Sequence, residues 1–266
     1  APCRGLVGAA AALGRELSLR HLARVAGIEE QEAVDTLAAA LDEGQIEQKA
    51  ADLLRFTHEL IHRAVLQGLS ASERRSLHRR RGEALEGLLA AGEEVDAARL
   101  ARHFAEAGAA ERPRAGRFAM MAGARALEAY AFESALHCFS AAAETGMLSP
   151  EQKADLAVLE ARALASLGRQ NEAVARLSEA FDSFASQGKV ERAVAAAVFA
   201  DFPGMYFAGH KLRSVRERAL DMVPPDSCEA AALLCELGQT YIYESYQKAD
   251  AALARSLSIA RHLGDR

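Results

Sequence analysis

Four small or branched residues, Ala135, Ala173, Val215 and Ala249, recur 38, 42 and 34 residues apart, each inside a stretch of helical periodicity. A repeat of that length means one helix–turn–helix unit used several times over. Such a unit cannot bury its own apolar face, so neighbours must stack. The flanking phrases keep the register: Ala131-Phe132-Glu133-Ser134-Ala135 returns as Arg169-Gln170-Asn171-Glu172-Ala173, and more loosely before Val215 and Ala249. Half of the residues are hydrophobic but only 6% are aromatic, and Trp is absent. Alanine and the straight-chain residues lose little rotamer freedom in helices, so an all-α chain is expected.

The best copy of the unit is Leu164-Ala165-Ser166-Leu167-Gly168 followed by Ala173, Leu177 and Ala180. It resembles the tetratricopeptide pattern, a bulky–Leu-Gly step followed by Ala and an aromatic, though no Trp is present and the periods drift. The resemblance implies about four helix pairs over residues 113–266, stacked into a tetratricopeptide-like solenoid. Residues 1–70 read differently. Helices are expected over 4–13, over 19–26 between Ser18 as N-cap and Gly27 as stop, and over 29–43 with Gly44 as stop. Two short strands, 45–48 and 53–57, would follow as a small β-hairpin. Three helices and a hairpin form the order of a winged helix. The third helix carries Glu29, Glu30, Glu32, Asp35, Asp42 and Glu43 and no Lys or Arg. A face so acidic repels DNA phosphates, so this domain is expected to pack on protein, with no direct nucleic-acid binding. Residues 71–112 would be connecting helices.

His58-Glu59-Leu60-Ile61-His62 spells HExxH, in which two His one helical turn apart hold zinc and the Glu activates water. Glu83 stands at a distance in sequence suited to a third ligand. Against this reading, Arg55 and Arg63 flank the motif where zinc peptidases prefer uncharged residues. The surrounding frame instead resembles a non-catalytic segment of signal-transduction ATPases with numerous domains (STAND proteins), especially the large LuxR-type transcriptional regulators. That frame is Arg55-Phe56-Thr57-His58, Ala64-Val65, Leu77-His78, Leu100-Ala101-Arg102-His103-Phe104 and Ala122-Gly123. It departs from the family at Glu59 and His62, and those two departures create the zinc motif. No Walker A loop occurs in these residues. The resemblance therefore implies a nucleotide-binding part elsewhere, with no catalytic residue, cofactor or metal here. His58, Glu59, His62 and Glu83 are read as a coincidence.

The expectation is thus a regulatory, protein-interaction segment of a bacterial STAND-type regulator, excised from a longer chain. Its partners would be its own nucleotide-binding domain and an effector received on the repeats. A free-standing tetratricopeptide adaptor is the alternative, and a zinc peptidase the second alternative. Tyr206, Phe207, Tyr241, Tyr243 and Tyr246 cluster in sequence near Pro203-Gly204 and are the candidate effector groove. Seven Arg lie between Arg55 and Arg81 against Glu59 and Glu73, a run read as a solvated face or a contact with an acidic domain. A net charge of −5, four Cys with no CxxC, and no stretch of about 20 apolar residues suit a cytoplasmic protein without a membrane span.

Overall fold

A computed structural model describes residues 2–50, 52–199, 209–242 and 244–264. The chain divides into two compact units, Ala1–Ala122 and Gly123–Arg266. It is helical throughout except for one small antiparallel sheet in the first unit.

The first unit opens with α1 (Pro2–Leu13), β1 (Glu16–Ser18), α2 (Leu19–Ala26) and α3 (Glu30–Asp42), then the hairpin β2 (Ile46–Ala50) and β3 (Leu53–Phe56). Ser18 caps α2 by accepting from His21 N–H, and Gly27 ends it in the left-handed conformation (φ 72°), as the sequence predicts. The hairpin also forms where expected. The sheet has a third strand, however: β3 lies between β1 and β2, pairing Leu17 with Leu54 and Ile46 with Phe56. Three residues are too few to show strand alternation, and the partner of β1 lies far along the chain, so only the fold reveals it. Leu17, Ile46, Leu54 and Phe56 are buried with Leu6, Ala10, Leu22 and Leu37 of the helices. Arg55 points to the other face, where it pairs with Glu47 (2.7 Å) and Glu16 (3.6 Å). Asp52 in the hairpin turn accepts from Arg20 N–H (2.8 Å) and Ser18 Oγ (2.8 Å), so a loop carboxylate reinforces the N-terminus of α2. Those bonds hold its carboxyl below the usual carboxylate range.

Helices α4 (Glu59–Gly68), α5 (Ala71–Ala90) and α6 (Ala97–Glu106) complete this unit with the start of α7 (Arg112–Glu128). Ser70 and Glu73 form a reciprocal capping box on α5. Helices α5 and α6 approach closely enough that a methyl group on Gly82 would lie 2.8 Å from the Phe104 ring. One turn away, His78 and His103 share a hydrogen bond between their Nδ1 atoms (2.9 Å). His103 is buried, and its Nε2 has no partner. Buried N–H groups are seldom left unpaired, which assigns the shared proton to His103 Nδ1 and leaves Nε2 bare.

The second unit continues with α8 (Phe132–Glu144), α9 (Pro150–Ser166), α10 (Gln170–Ser186), α11 (Val190–Val198), α12 (Arg213–Leu220), α13 (Cys228–Tyr241) and α14 (Tyr246–Leu263). Each packs on the next, making a helical solenoid. Ala135, Ala173, Val215 and Ala249 are all buried, one each on α8, α10, α12 and α14. The small residues are required sterically: a methyl group on Gly123 would meet the Phe139 ring at 2.3 Å, and one on Gly238 would meet Leu253 at 2.5 Å. The core runs through Ala161, Leu177, Phe181, Phe184, Val194, Leu212 and Leu233. Within it lies a buried charge that sequence reasoning misses. Arg216 donates to Ala197 O (3.2 Å), Thr240 Oγ1 (2.9 Å) and Glu236 Oε2 (2.7 Å), tying α11, α12 and α13 together. Removing one partner of such a pair typically costs about 3–5 kcal/mol, because the other charge is left buried.

The histidine pair makes the first unit sensitive to acid. Burial first, then the guanidinium groups of Arg81, Arg102 and Arg99, push His103 down to about 3, and burial also lowers His78. Above pH 6.5 both rings are neutral whether folded or unfolded. Below it the unfolded chain takes protons that the native rings refuse, so stability falls with pH down toward the folded-state value. The thermal midpoint of the wild type is expected to drop between pH 7.5 and pH 5. In His103→Leu, differential melting is expected to show a shallower drop over the same range. Equal slopes would remove the pair as the cause.

Candidate functional site

The HExxH residues do not all lie within one helix. His58 is exposed in extended backbone (φ −128°, ψ 141°) at the N-cap of α4, so only His62 lies within the helix. His62 is largely buried, with its ring 5.2 Å from that of Phe56. Its Nε2 lies 2.9 Å from Ala11 O at the end of α1. A carbonyl can only accept, so Nε2 carries the proton and is not available as a ligand atom. Nδ1 is buried and has no hydrogen bond, with Glu59 Oε1 at 3.8 Å. Glu83 is turned toward Arg114 (3.7 Å). Among the described residues, no three His, Cys, Asp or Glu side chains come together as a metal site.

Of the aromatic residues singled out in the sequence, Tyr206, Phe207 and Tyr243 lie outside the described residues. Tyr241 donates to Glu217 Oε1 (2.9 Å) and carries Lys248 Nζ over its ring at 5.7 Å. Tyr246 is exposed at the start of α14. The structure therefore gives Tyr241 a packing role and brings no described aromatic to it.

A different tyrosine marks a concave site. Leu127 and Glu128 at the end of α7, Tyr130 in the following turn, Phe132 on α8, and Leu159 and Arg162 on α9 line a groove of about 450 Å³. Leu127, Phe132 and Leu159 are half-buried, Glu128 and Arg162 bring one charge of each sign, and Tyr130 stands 80% exposed at the edge. The Tyr130 and Phe132 rings meet edge to face at 6.2 Å. An apolar floor with a few polar groups at its rim is the usual make-up of a ligand-binding surface.

The backbone of Tyr130 is unusual. Its φ is 58°, which places it, alone among the described non-glycine residues, in the left-handed region. Helices α7, α9 and α10 end alike: Ala131 N–H bonds Ala126 O (2.8 Å), Arg169 N–H bonds Leu164 O (2.8 Å) and Lys189 N–H bonds Phe184 O (3.0 Å). The residue before each donor takes the left-handed conformation, and in α9 and α10 it is Gly168 and Gly188. In α7 it is Tyr130, 38 residues before Gly168, the spacing that separates Ala135 from Ala173. A side chain there costs about 1–2 kcal/mol relative to glycine. A residue held at such a cost, at the edge of a groove, marks that groove as the candidate site. The sequence contains the signal, a tyrosine in the register of a repeat glycine, but clustering by sequence proximity passes over it.

No family model matches the chain, and no curated protein matches it. Among solved structures it is similar to a signal transduction ATPase with numerous domains with a tetratricopeptide repeat sensor, from Pyrococcus horikoshii, at 12% identity and a TM-score of 0.42. That likeness covers 99% of this chain and 45% of the other, so the chain spans under half of that protein's length. It is also similar to BtubC (BKLC) from P. vanneervenii, at 17% identity and a TM-score of 0.42, over 93% of this chain and 87% of that one.

The strain at position 130 is directly measurable. Tyr130→Gly is expected to stabilise the protein by about 1 kcal/mol in urea unfolding. A destabilised variant would show that the tyrosine is held for packing instead.

Proposed function

We propose that the chain is a non-catalytic regulatory and protein-interaction segment of a STAND-type regulator of the large LuxR class. The groove at Tyr130 receives an effector or partner on the repeat surface. The observation that carries this reading is the tyrosine in the left-handed position, where the neighbouring repeats use glycine. The partner gains an exposed aromatic ring with a polar tip over a half-buried apolar floor, and the rigid helices α7 and α9 fix that floor. Selection for binding explains a residue that costs the fold stability; selection for folding alone does not.

The first unit supports the same assignment. We read the order α1-β1-α2-α3-β2-β3, with β3 central, as a winged helix. Glu29, Glu30, Glu32, Asp35, Asp42 and Glu43 are all exposed along and beside α3, the element that would otherwise enter a DNA groove. In this reading the acidic helix faces protein, as the resemblance of Arg55-Phe56-Thr57-His58 to the STAND segment implies. Tetratricopeptide repeats then account for α7 to α14.

Two experiments separate the possibilities. A photo-cross-linking amino acid placed at position 130 in the native host is expected to trap a partner, whereas the same group at the exposed His137 on α8 does not. Equal labelling from both positions would contradict a specific groove. The full reading frame decides between regulator and adaptor: a phosphate-binding Gly-rich loop with Lys-Ser or Lys-Thr ahead of this segment supports the regulator, and a frame without one leaves a tetratricopeptide adaptor.

A further inference from the structure

Six arginines of the second unit, Arg169, Arg176, Arg192, Arg213, Arg218 and Arg255, each have an Asp or Glu partner. Helices α5 and α6 break that pattern. Arg74, Arg99 and Arg102 are exposed and form no ion pair among the described residues. Arg99 and Arg102 are three apart on α6, and Arg74 and Arg81 seven apart on α5, so each pair shares a helix face. The two faces adjoin, because the His78–His103 hydrogen bond joins the helices between them.

Arg81 is the centre of the group. It is buried, and its Nη1 donates to Ala12 O (2.8 Å) and to Leu13 O. Both bonds use one nitrogen, so Nε and Nη2 have no partner among the described residues. Its field and those of Arg99 and Arg102 reach His103, while Arg102 and Arg74 reach His78. Burial and the charges of Arg99 and Arg102 bring Arg81 itself down to about 10. Glu106 is the carboxylate that opposes these arginines at His78. Guanidinium groups on these adjoining faces repel one another, and a bound anion would relieve that repulsion.

We propose that Arg74, Arg81, Arg99 and Arg102 form a binding site for the phosphate group of a small phosphorylated ligand. The planar guanidinium group matches a phosphate with paired N–H donors, and a buried member acts in a lower dielectric, where its attraction is stronger. The arginines lie on two adjoining helix faces and span about two helical turns, a patch short enough to suit a compact dianion. The exposed residues of α5 and α6 include no aromatic to stack a base, which argues against single-stranded nucleic acid. The site lies in the first unit and does not depend on the groove at Tyr130.

Calorimetric titration with pyrophosphate tests the site, with sodium chloride holding ionic strength constant. The wild type is expected to bind saturably at one equivalent, and Arg99→Gln/Arg102→Gln to bind at least tenfold more weakly with unchanged helicity and melting temperature. Arg74→Gln, a single exposed change, is expected to weaken binding severalfold. Adenosine diphosphate and a sugar phosphate form further arms that separate a nucleotide source from a simple phosphate ester; saturable binding of either supports the site. No saturable heat with pyrophosphate, or equal heat in the double variant, would overturn it. So would binding of poly-glutamate without pyrophosphate binding, which would reassign the arginines to an acidic protein surface.

Discussion

The carbonyl end of α1 is the point on which the first unit depends. A helix leaves its last carbonyls without intrahelical partners, and burying them unpaired is costly. Here three consecutive carbonyls are met from two other helices: His62 of α4 donates to Ala11, and Arg81 of α5 to Ala12 and Leu13. Arg81 is buried without a carboxylate, and the negative end of the helix dipole serves in its place. The cap therefore does more than end a helix. It fixes where α4 and α5 lie, and α5 in turn carries His78 against His103 and Gly82 against Phe104. Removing Arg81 would strand the carbonyls of Ala12 and Leu13, and removing His62 would leave Ala11 with its bond from Gly14 N–H (3.2 Å), in a helix whose other side, through Leu6 and Ala10, is already in the core.

The second unit is held by a different rule. Its helix pairs close by steric fit, with Gly123 under Phe139 and Gly238 under Leu253, and with alanine or valine at the buried anchors. Its most buried polar contacts are those of Arg216 with Ala197, Glu236 and Thr240, while ion pairs such as Arg176–Glu160 and Arg218–Asp182 join helices nearer the surface. Burial lowers Arg216 and raises Glu236 in opposite senses, the expected result for a pair that has given up water for each other. A scaffold of this kind tolerates drift at its exposed turns, and that freedom is what permits a tyrosine to occupy a glycine's place at position 130.

Much of the architecture is legible in the sequence because it is local. Ser18, Gly27 and Ser70 mark helix ends through their own side chains or backbone, and the period of Ala135, Ala173, Val215 and Ala249 reports which faces are buried. What escapes is non-local. The strand at Glu16–Ser18 exists only through β3, and Arg216 looks like any surface arginine until Glu236 and Thr240 are brought to it. The histidines illustrate the limit most clearly. HExxH specifies spacing along a helix, but the chain starts α4 one residue after His58, and His62 is taken by the carbonyl of Ala11. A motif fixes which residues are present, and tertiary contacts decide what their lone pairs do. Tyr130 is the converse case: its meaning lies in the alignment of one repeat on another, readable in principle from the 38-residue register.

The most direct test is of His62, because the account makes it a helix cap where the motif would make it a zinc ligand. The unfolding midpoint of the wild type and of His62→Leu would be measured with and without one equivalent of zinc. The account predicts that the substitution lowers stability by about 0.5–1.5 kcal/mol, the net worth of the hydrogen bond it removes, and that zinc shifts neither protein. A zinc-dependent rise in the wild-type midpoint, saturating at one equivalent and lost in the variant, would contradict it.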